Sequence, residues 1–408
     1  MRFFSRLAPP YRVVAIAAPV LLAVHVTALV WALIDPETPA TIADKDFANY
    51  WMAGRLVHEG RFMDLFGPQS VYFSHLADAF GADFPWHNWS YPPHYLLLVW
   101  PLGFLSYEVA MLLFLLSTGT LFLLALRGFA RQAGPIAWVS AGPFVAHNFW
   151  AAQNGYLTAA LALGALGLRD RRPVLAGVLL GLLTVKPQLG LLFPFLLVAE
   201  RRWSMIASAA STTLALVGGS AVIFGIDAWK GYLDEVVPYQ SLVMRALEGT
   251  FLLMMPSVFG ALRGWHVASD TALALHLFVA VPVALATSVA FFRVADAHYR
   301  TALFLLASII VTPYALSYDM GTLVPALALL AAGETVAGSG GRSRAALLAI
   351  AMLLPVLMIP FGSIGIPLAA PVLLAVYVLT LAEARMFGRI SAPSQDDVGM
   401  SPSSATAP

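Results

Sequence analysis

Residues 13–34 read VVAIAAPVLLAVHVTALVWALI, with no Asp, Glu, Lys or Arg among them. About 20 apolar residues are enough for one helix to cross a bilayer. Inside the hydrocarbon only helices and closed barrels satisfy every backbone group, so the run reads as a helix. It follows Arg2, Arg6 and Arg12. A secretory signal peptide is the competing reading, but its apolar core is normally about 7–15 residues. This run is longer, and no small-residue cleavage site follows it cleanly. The expectation is a retained transmembrane anchor with its N-terminus in the cytoplasm.

Outward from that segment the chain keeps the same character. Of its 408 residues, 60% are hydrophobic and 11% charged, against about 25% charged in a soluble domain. A soluble enzyme and a disordered chain are excluded. The net charge of +1 supplies no field for capturing nucleic acid. The absence of cysteine removes disulfide frameworks, thiol nucleophiles and thiolate metal sites. What remains is an all-α polytopic integral membrane protein. Spans fall near 13–34, 91–127, 134–149, 155–168, 173–185, 188–199, 203–225, 271–293, 298–312, 317–333, 344–361 and 364–386, a bundle of about 11–13 transmembrane helices.

Basic residues then orient the loops. Arg127/Arg131, Arg169/Arg171/Arg172, Arg201/Arg202, Arg293/Arg300, Arg342/Arg344 and Arg385/Arg389 mark cytoplasmic turns. Residues 35–90 carry eight acidic and three basic side chains and form the first outer loop; residues 226–270 form the second. All three lysines, Lys45, Lys186 and Lys230, then lie at the outer face. Residues 91–127 are too long for one span at 1.5 Å per residue, yet two spans would invert every later loop. A half-crossing helix over 92–105, stopped by Pro101 and Gly103, restores the parity. Residues 1–390 make one membrane domain. The Ser/Pro/Ala-rich residues 391–408 read as a disordered cytoplasmic tail.

Long ordered loops tend to be functional, and 35–90 is patterned. Phe47–Leu65 (FANYWMAGRLVHEGRFMDL) has aromatic and aliphatic residues at helical spacing, as expected for amphipathic helices at the membrane interface. Asp44-Lys45-Asp46 opens that stretch. Asp46 reads either as a helix N-cap or as a base facing a cavity at the membrane surface. The D-x-D spacing also matches the metal–nucleotide motif of soluble glycosyltransferases, but a nucleotide sugar would sit on the wrong side of the membrane.

Further polar groups interrupt the apolar runs. Gln153-Asn154-Gly155 occupies an outer turn, and Lys186-Pro187-Gln188 breaks an otherwise apolar stretch. A charge at membrane depth costs about 2.5–3.5 kcal/mol and marks function by default. Lys186 either snorkels to the interface or holds an anionic lipid head. Tyr318-Asp319, after the turn Thr312-Pro313-Tyr314, supplies a second membrane-level carboxylate, for which core packing is the equal alternative. His94, after Tyr91-Pro92-Pro93, sits at the outer boundary and could face the same cavity. His58, His75 and His87 read as ordinary interface or loop histidines. The nine histidines show no zinc spacing, so no metal site is assigned. There is neither a glycine-rich phosphate loop after a strand nor a G-x-S-x-G.

These motifs resemble glycosyltransferase family 87. Asp46-Phe-Ala-Asn-Tyr-Trp-Met-Ala-Gly-Arg-Leu is similar to its first outer loop. Gln153-Asn-Gly-Tyr-Leu-Thr-Ala-Ala and Arg171 through Gly190, with Lys186-Pro-Gln, are similar to its Gln-Asn-Gly and Lys-Pro blocks. Phe224-Gly, Trp229, Tyr232-Leu, Thr312-Pro-Tyr and Tyr318-Asp319 follow in the same order. The resemblance covers about residues 13–385, and Ala152 departs from it, standing where glycine is usual. It implies a GT-C membrane bundle with its active site at the outer face of the inner (plasma) membrane. It also implies a hexosyltransferase whose donor is a polyprenyl-phosphate sugar, typically mannose, with Asp46 as catalytic base.

On that reading Asp46 deprotonates a hydroxyl of a lipid or envelope-glycan acceptor, which attacks the anomeric carbon in one inverting step. The leaving polyprenyl phosphate needs a cation, Lys186 first and Arg245 or Arg263 next. Gln153, Asn154 and His94 would hydrogen-bond sugar or phosphate, beside Tyr318 and Asp319. The scheme needs no cofactor, although Asp44 and Asp46 could ligate a metal. Its rivals are a secondary transporter or flippase, which would show inverted repeats and mid-membrane charge, and a non-catalytic lipid-binding subunit.

Overall fold

The computed structural model describes residues 7–34, 45–82, 84, 87–246, 248–337 and 341–390. Asp44 and the tail 391–408 lie outside the described residues. Among the described residues all regular structure is helical, with no strand, as a chain that must satisfy its backbone in lipid requires. The protein is an all-α polytopic membrane protein. Helices Pro9–Ile34, Tyr107–Ala133, Trp203–Phe224, Ser269–Arg293 and Arg342–Ser363 contain windows long and apolar enough to cross a bilayer. Shorter apolar helices, Gly155–Leu168 and Ala297–Ile310 among them, fill the space between.

The 91–127 stretch resolves as its punctuation implies. Pro93–Tyr95, Leu96–Val99 and Trp100–Phe104 make one broken helical arm. Its last segment contains Pro101 and Gly103 and ends at an extended Leu105. Helix Tyr107–Ala133 then runs on alone, about 40 Å at 1.5 Å per residue.

Short helices are buried on most sides. In Gly155–Leu168 ten of the fourteen residues are buried, as in an apolar helix within a core. Small residues let backbones approach as in membrane bundles. Gly177 and Gly181, one turn apart on helix Pro173–Leu182, face helix Trp203–Phe224. A Cβ on them would fall 2.5 Å from the Met205 carbonyl oxygen and 2.5 Å from Thr212 Cβ.

The described part of the loop expected on the outer side folds as helices Phe47–His58 and Gln69–Phe80, joined through the 3₁₀ turn Phe62–Leu65. Phe47–His58 is more buried than an interface helix needs to be, with Phe47 through Gly54 all buried. The cause is backbone contact with the broken arm. A Cβ on Gly54 would lie 2.7 Å from Gly103 N, and one on Gly103 would lie 2.3 Å from the Gly54 carbonyl carbon. At the arginine-rich turns, Arg169 and Arg202 share Glu200 at 3.3 and 3.1 Å. Arg344 grips Glu383 through two bonds of 2.6 and 2.9 Å.

Candidate active site

Four breaks in helical structure converge on one cavity of about 490 Å³, within the roughly 300–1,000 Å³ of small-molecule sites. They are the start of helix Phe47–His58, the turn at Gln153, the break at Lys186 between two 3₁₀ turns and the 3₁₀ segment Ser317–Thr322. A roof comes from the π-helical turn Tyr232–Val236 and helix Val237–Ala246, which present Tyr232, Val236, Val237, Gln240, Ser241 and Met244 as one face. Gln240 ties this roof to the first outer loop by accepting from Asn88 Nδ2 at 2.9 Å.

Asp46 stands at the N-cap position of its helix but makes no side-chain capping bond. Its carboxylate turns into the cavity instead. Oδ2 accepts from Gln153 Nε2 at 3.1 Å, and Oδ1 lies 3.4 Å from His87 Nδ1. Gln153 cannot turn its amide round. Its Oε1 accepts from the Asn154 N–H at 2.8 Å and from the Tyr50 hydroxyl, which also meets the Tyr91 hydroxyl at 2.8 Å. Burial pushes the Tyr50 phenol well above its ordinary value of 10.0, with Tyr91 and Tyr95 adding to the shift. Tyr50 therefore stays protonated and available to donate.

The turn that carries Gln153 depends on backbone shape. Ala152 sits at φ 49°, ψ 44°, the left-handed region that glycine enters freely and other L-residues at about 1–2 kcal/mol. This is why glycine suits the position, and Ala152 holds the same turn. Gly155 has no substitute of that kind. A Cβ there would fall 1.8 Å from the Tyr318 carbonyl oxygen and 2.4 Å from Asn148 Oδ1. Through that contact the Gln-Asn-Gly turn and the Tyr318-Asp319 segment become one wall.

Lys186 precedes proline, which disfavours the helical region for it, and it adopts φ −134°, ψ 73° between two 3₁₀ turns. Its ammonium does not reach out to solvent. It donates to Asp319 Oδ1 at 2.7 Å, lies 4.7 Å from the Tyr318 ring centroid, and its side chain is 9% exposed. Asp319 is fully buried, and its Oδ2 accepts from the Leu316 N–H at 3.1 Å. An ammonium has three donors, so Asp319 occupies one and leaves two.

Asp46, Gln153, Lys186, Tyr318 and Asp319 thus share one cavity wall. Gln188, Tyr232 and Tyr314 line it as well, whereas the other candidate site residues, Asn154, His94, Arg245 and Arg263, do not. Asn154 is fully buried behind the wall, donating to the hydroxyls of Tyr91 and Tyr95 at 3.2 and 3.5 Å. His94 stacks on Trp229 with centroids 5.8 Å apart and has Nε2 3.4 Å from Thr184 Oγ1. Arg245 is exposed at the end of its helix. Arg263 donates to the carbonyls of Arg245 and Val267 at 3.1 and 2.9 Å. His87, read from the sequence as an ordinary loop histidine, stands beside Asp46 in the cavity. Asn49, Tyr91 and Gln240 also line it without having been singled out. Among the described residues no cluster of three or more metal-binding side chains occurs.

The profile of Glycosyltransferase family 87 matches residues 89–317, more than half of the chain. No curated protein and no solved structure matches it. The matched segment holds Tyr91, Gln153, Lys186 and Gln240 and stops just short of Tyr318, so it builds most of the cavity wall. Asp46 joins the wall by geometry, from the loop before it. The chain belongs to glycosyltransferase family 87 and is a membrane glycosyltransferase.

Proposed function

We propose that this enzyme transfers a hexose, mannose first among candidates, from a polyprenyl-phosphate donor to a lipid or envelope-glycan acceptor. The reaction takes place at the outer face of the inner membrane. In this reading residues 1–390 form one GT-C-type domain with both termini cytoplasmic, which puts the cavity on the periplasmic side. The observation that carries it is the Asp46 carboxylate. It stands at a helix start, where capping is its ordinary work, yet caps nothing and faces a cavity.

Asp46 accepts the proton of an acceptor hydroxyl as the oxygen attacks the anomeric carbon. The bond from that carbon to the phosphate oxygen breaks, its electron pair leaves with the polyprenyl phosphate, and the configuration inverts. General-base assistance of this kind is worth about 10²–10⁴-fold. Gln153 holds the carboxylate in orientation through its Nε2. Lys186 offers its two remaining donors to the phosphate, its own charge kept in place by Asp319. A lipid-borne donor fits a protein of which only 11% is charged, because substrate and catalyst meet at the membrane.

Transfer from radiolabelled polyprenyl-phosphate mannose in membranes tests the reading with Asp46→Asn. The expected result is loss of transfer at normal expression. Activity near wild type overturns Asp46 as the base.

A further inference from the structure

Asn49 lies one turn beyond Asp46 on helix Phe47–His58 and lines the same cavity. Residues three apart on a helix are surface neighbours, about 5–6 Å between Cβ atoms. Asn49 is 7% exposed, and buried amides are ordinarily satisfied on both ends. Here only one end is. Oδ1 accepts from the Tyr72 hydroxyl at 2.6 Å, and Tyr72, on helix Gln69–Phe80, is wholly buried. Nδ2 has no acceptor among the described residues, nor is it sealed off, so it is the polar group that Asn49 presents to the cavity.

The arrangement repeats the one at Gln153. In both cases a buried phenol holds the amide carbonyl and fixes which way the amino group points. At Gln153 the amino group is used within the protein, on Asp46. At Asn49 it is left for something else. An amide N–H beside a general base matches a hydroxyl oxygen, the commonest polar group on a sugar.

We propose that Asn49 is a substrate-binding residue whose Nδ2 donates to a sugar hydroxyl next to the reacting centre, with Tyr72 as the positioning residue that sets its amide. The inference rests on the cavity being the glycosyl-transfer site. The hydroxyl belongs either to the acceptor, beside the one deprotonated by Asp46, or to the donor sugar.

Two variants are read together. Asn49→Asp keeps the shape and still accepts from Tyr72, but it has no N–H to give and adds a carboxylate beside Asp46; Asn49→Ala removes the N–H without adding charge. A donor role predicts that both fail, and normal transfer by Asn49→Ala overturns it. Transfer from radiolabelled polyprenyl-phosphate mannose to endogenous acceptor in membranes is measured across donor concentrations, alongside the unfolding temperature of each purified variant. Asn49→Asp and Asn49→Ala are both expected to lose roughly tenfold to a hundredfold in transfer, more than their unfolding temperatures account for. Tyr72→Phe is expected to lose less, and nothing further when added to Asn49→Ala. A raised donor KM in the uncharged Asn49→Ala assigns the hydroxyl to the donor sugar. A reduced rate at saturating donor with KM unchanged in Asn49→Ala assigns it to the acceptor. Wild-type kinetics in Asn49→Asp overturn the proposal. If Asp46→Asn also transfers normally, it is the reading of the cavity that has failed.

Discussion

Replacing Lys186 with methionine removes one side of an ion pair whose other side has no access to water. At 2.7 Å and an effective dielectric of about 20, the gross attraction is about 6 kcal/mol. Desolvation of the two ions offsets much of it, so the pair is worth little compared with an apolar pair of the same shape. Breaking one side alone is different. Lys186→Met strands the Asp319 carboxylate with only the Leu316 N–H, at an expected cost of about 3–5 kcal/mol. Asp319→Asn still offers an oxygen to that N–H, and it leaves the ammonium against the Tyr318 ring at the cavity edge. Its cost belongs at the lower end, about 3 kcal/mol.

The double variant Lys186→Met/Asp319→Asn removes both charges together. It should recover most of the loss and unfold within about 1–2 kcal/mol of wild type. Unfolding of the purified proteins in detergent measures the stabilities, and sugar transfer in membranes measures function. If Lys186 grips the donor phosphate, the double variant is stable and transfers poorly. A double variant that transfers normally removes Lys186 from the chemistry. A double variant as unstable as the sum of the two single ones refutes the ion-pair reasoning itself.

At the Gln153 turn, Ala152→Gly relieves about 1–2 kcal/mol of left-handed strain. It gives back about 0.4–1 kcal/mol in chain freedom and about 0.8 kcal/mol for a buried methyl. It should therefore unfold within about 1 kcal/mol of wild type and keep transfer, whereas Ala152→Val, β-branched at positive φ, should lose both; equal behaviour of the two would sink the strain argument. Gly155→Ala drives a methyl into the Tyr318 carbonyl and should cost at the upper end of about 1–3 kcal/mol, with transfer falling as the Tyr318-Asp319 wall shifts. Unchanged unfolding and transfer would show that the two segments are not packed as one.

Features set by neighbouring residues could be read from the sequence. The uncharged run 13–34, the broken arm with Pro101 and Gly103, and the unwinding before Pro187 each follow from side-chain chemistry within a few positions. The cavity-facing set was legible only in part. Gln153, Lys186 and Asp319 stand out because polar groups are costly in apolar surroundings, and Asp46 because it opens a helix-patterned loop. Their pairing does not, since Lys186 and Asp319 are 133 positions apart and nothing local records which acid folds against which base. His94 shows the converse. Its place at the outer boundary suggested the cavity, but the stacking surface of Trp229 holds the ring behind the wall. His87 and Asn49 carry no signal in spacing; only the approach of helices from distant parts of the chain gives them a role.

The aromatic richness of the first outer loop takes on a purpose in this arrangement. Beside the His87 ring 3.4 Å from its Oδ1, Asp46 is oriented through neutral groups: Tyr50 fixes Gln153, Tyr72 fixes the neighbouring Asn49, and Tyr91 joins the first of these contacts. A lysine or arginine would orient a carboxylate more strongly, but a cation that close favours the charged form and makes it a poorer base. A buried phenol avoids that conflict. Burial pushes Tyr50 and Tyr72 well above the ordinary phenol value, so both remain donors throughout the physiological range and add no charge. The cation of the cavity wall, Lys186, is instead tethered to its own acid, Asp319. Asp46 and Lys186 are thus kept as separate elements of one wall, the division of labour that the proposed transfer would require, with proton removal at one substrate oxygen and charge development at another.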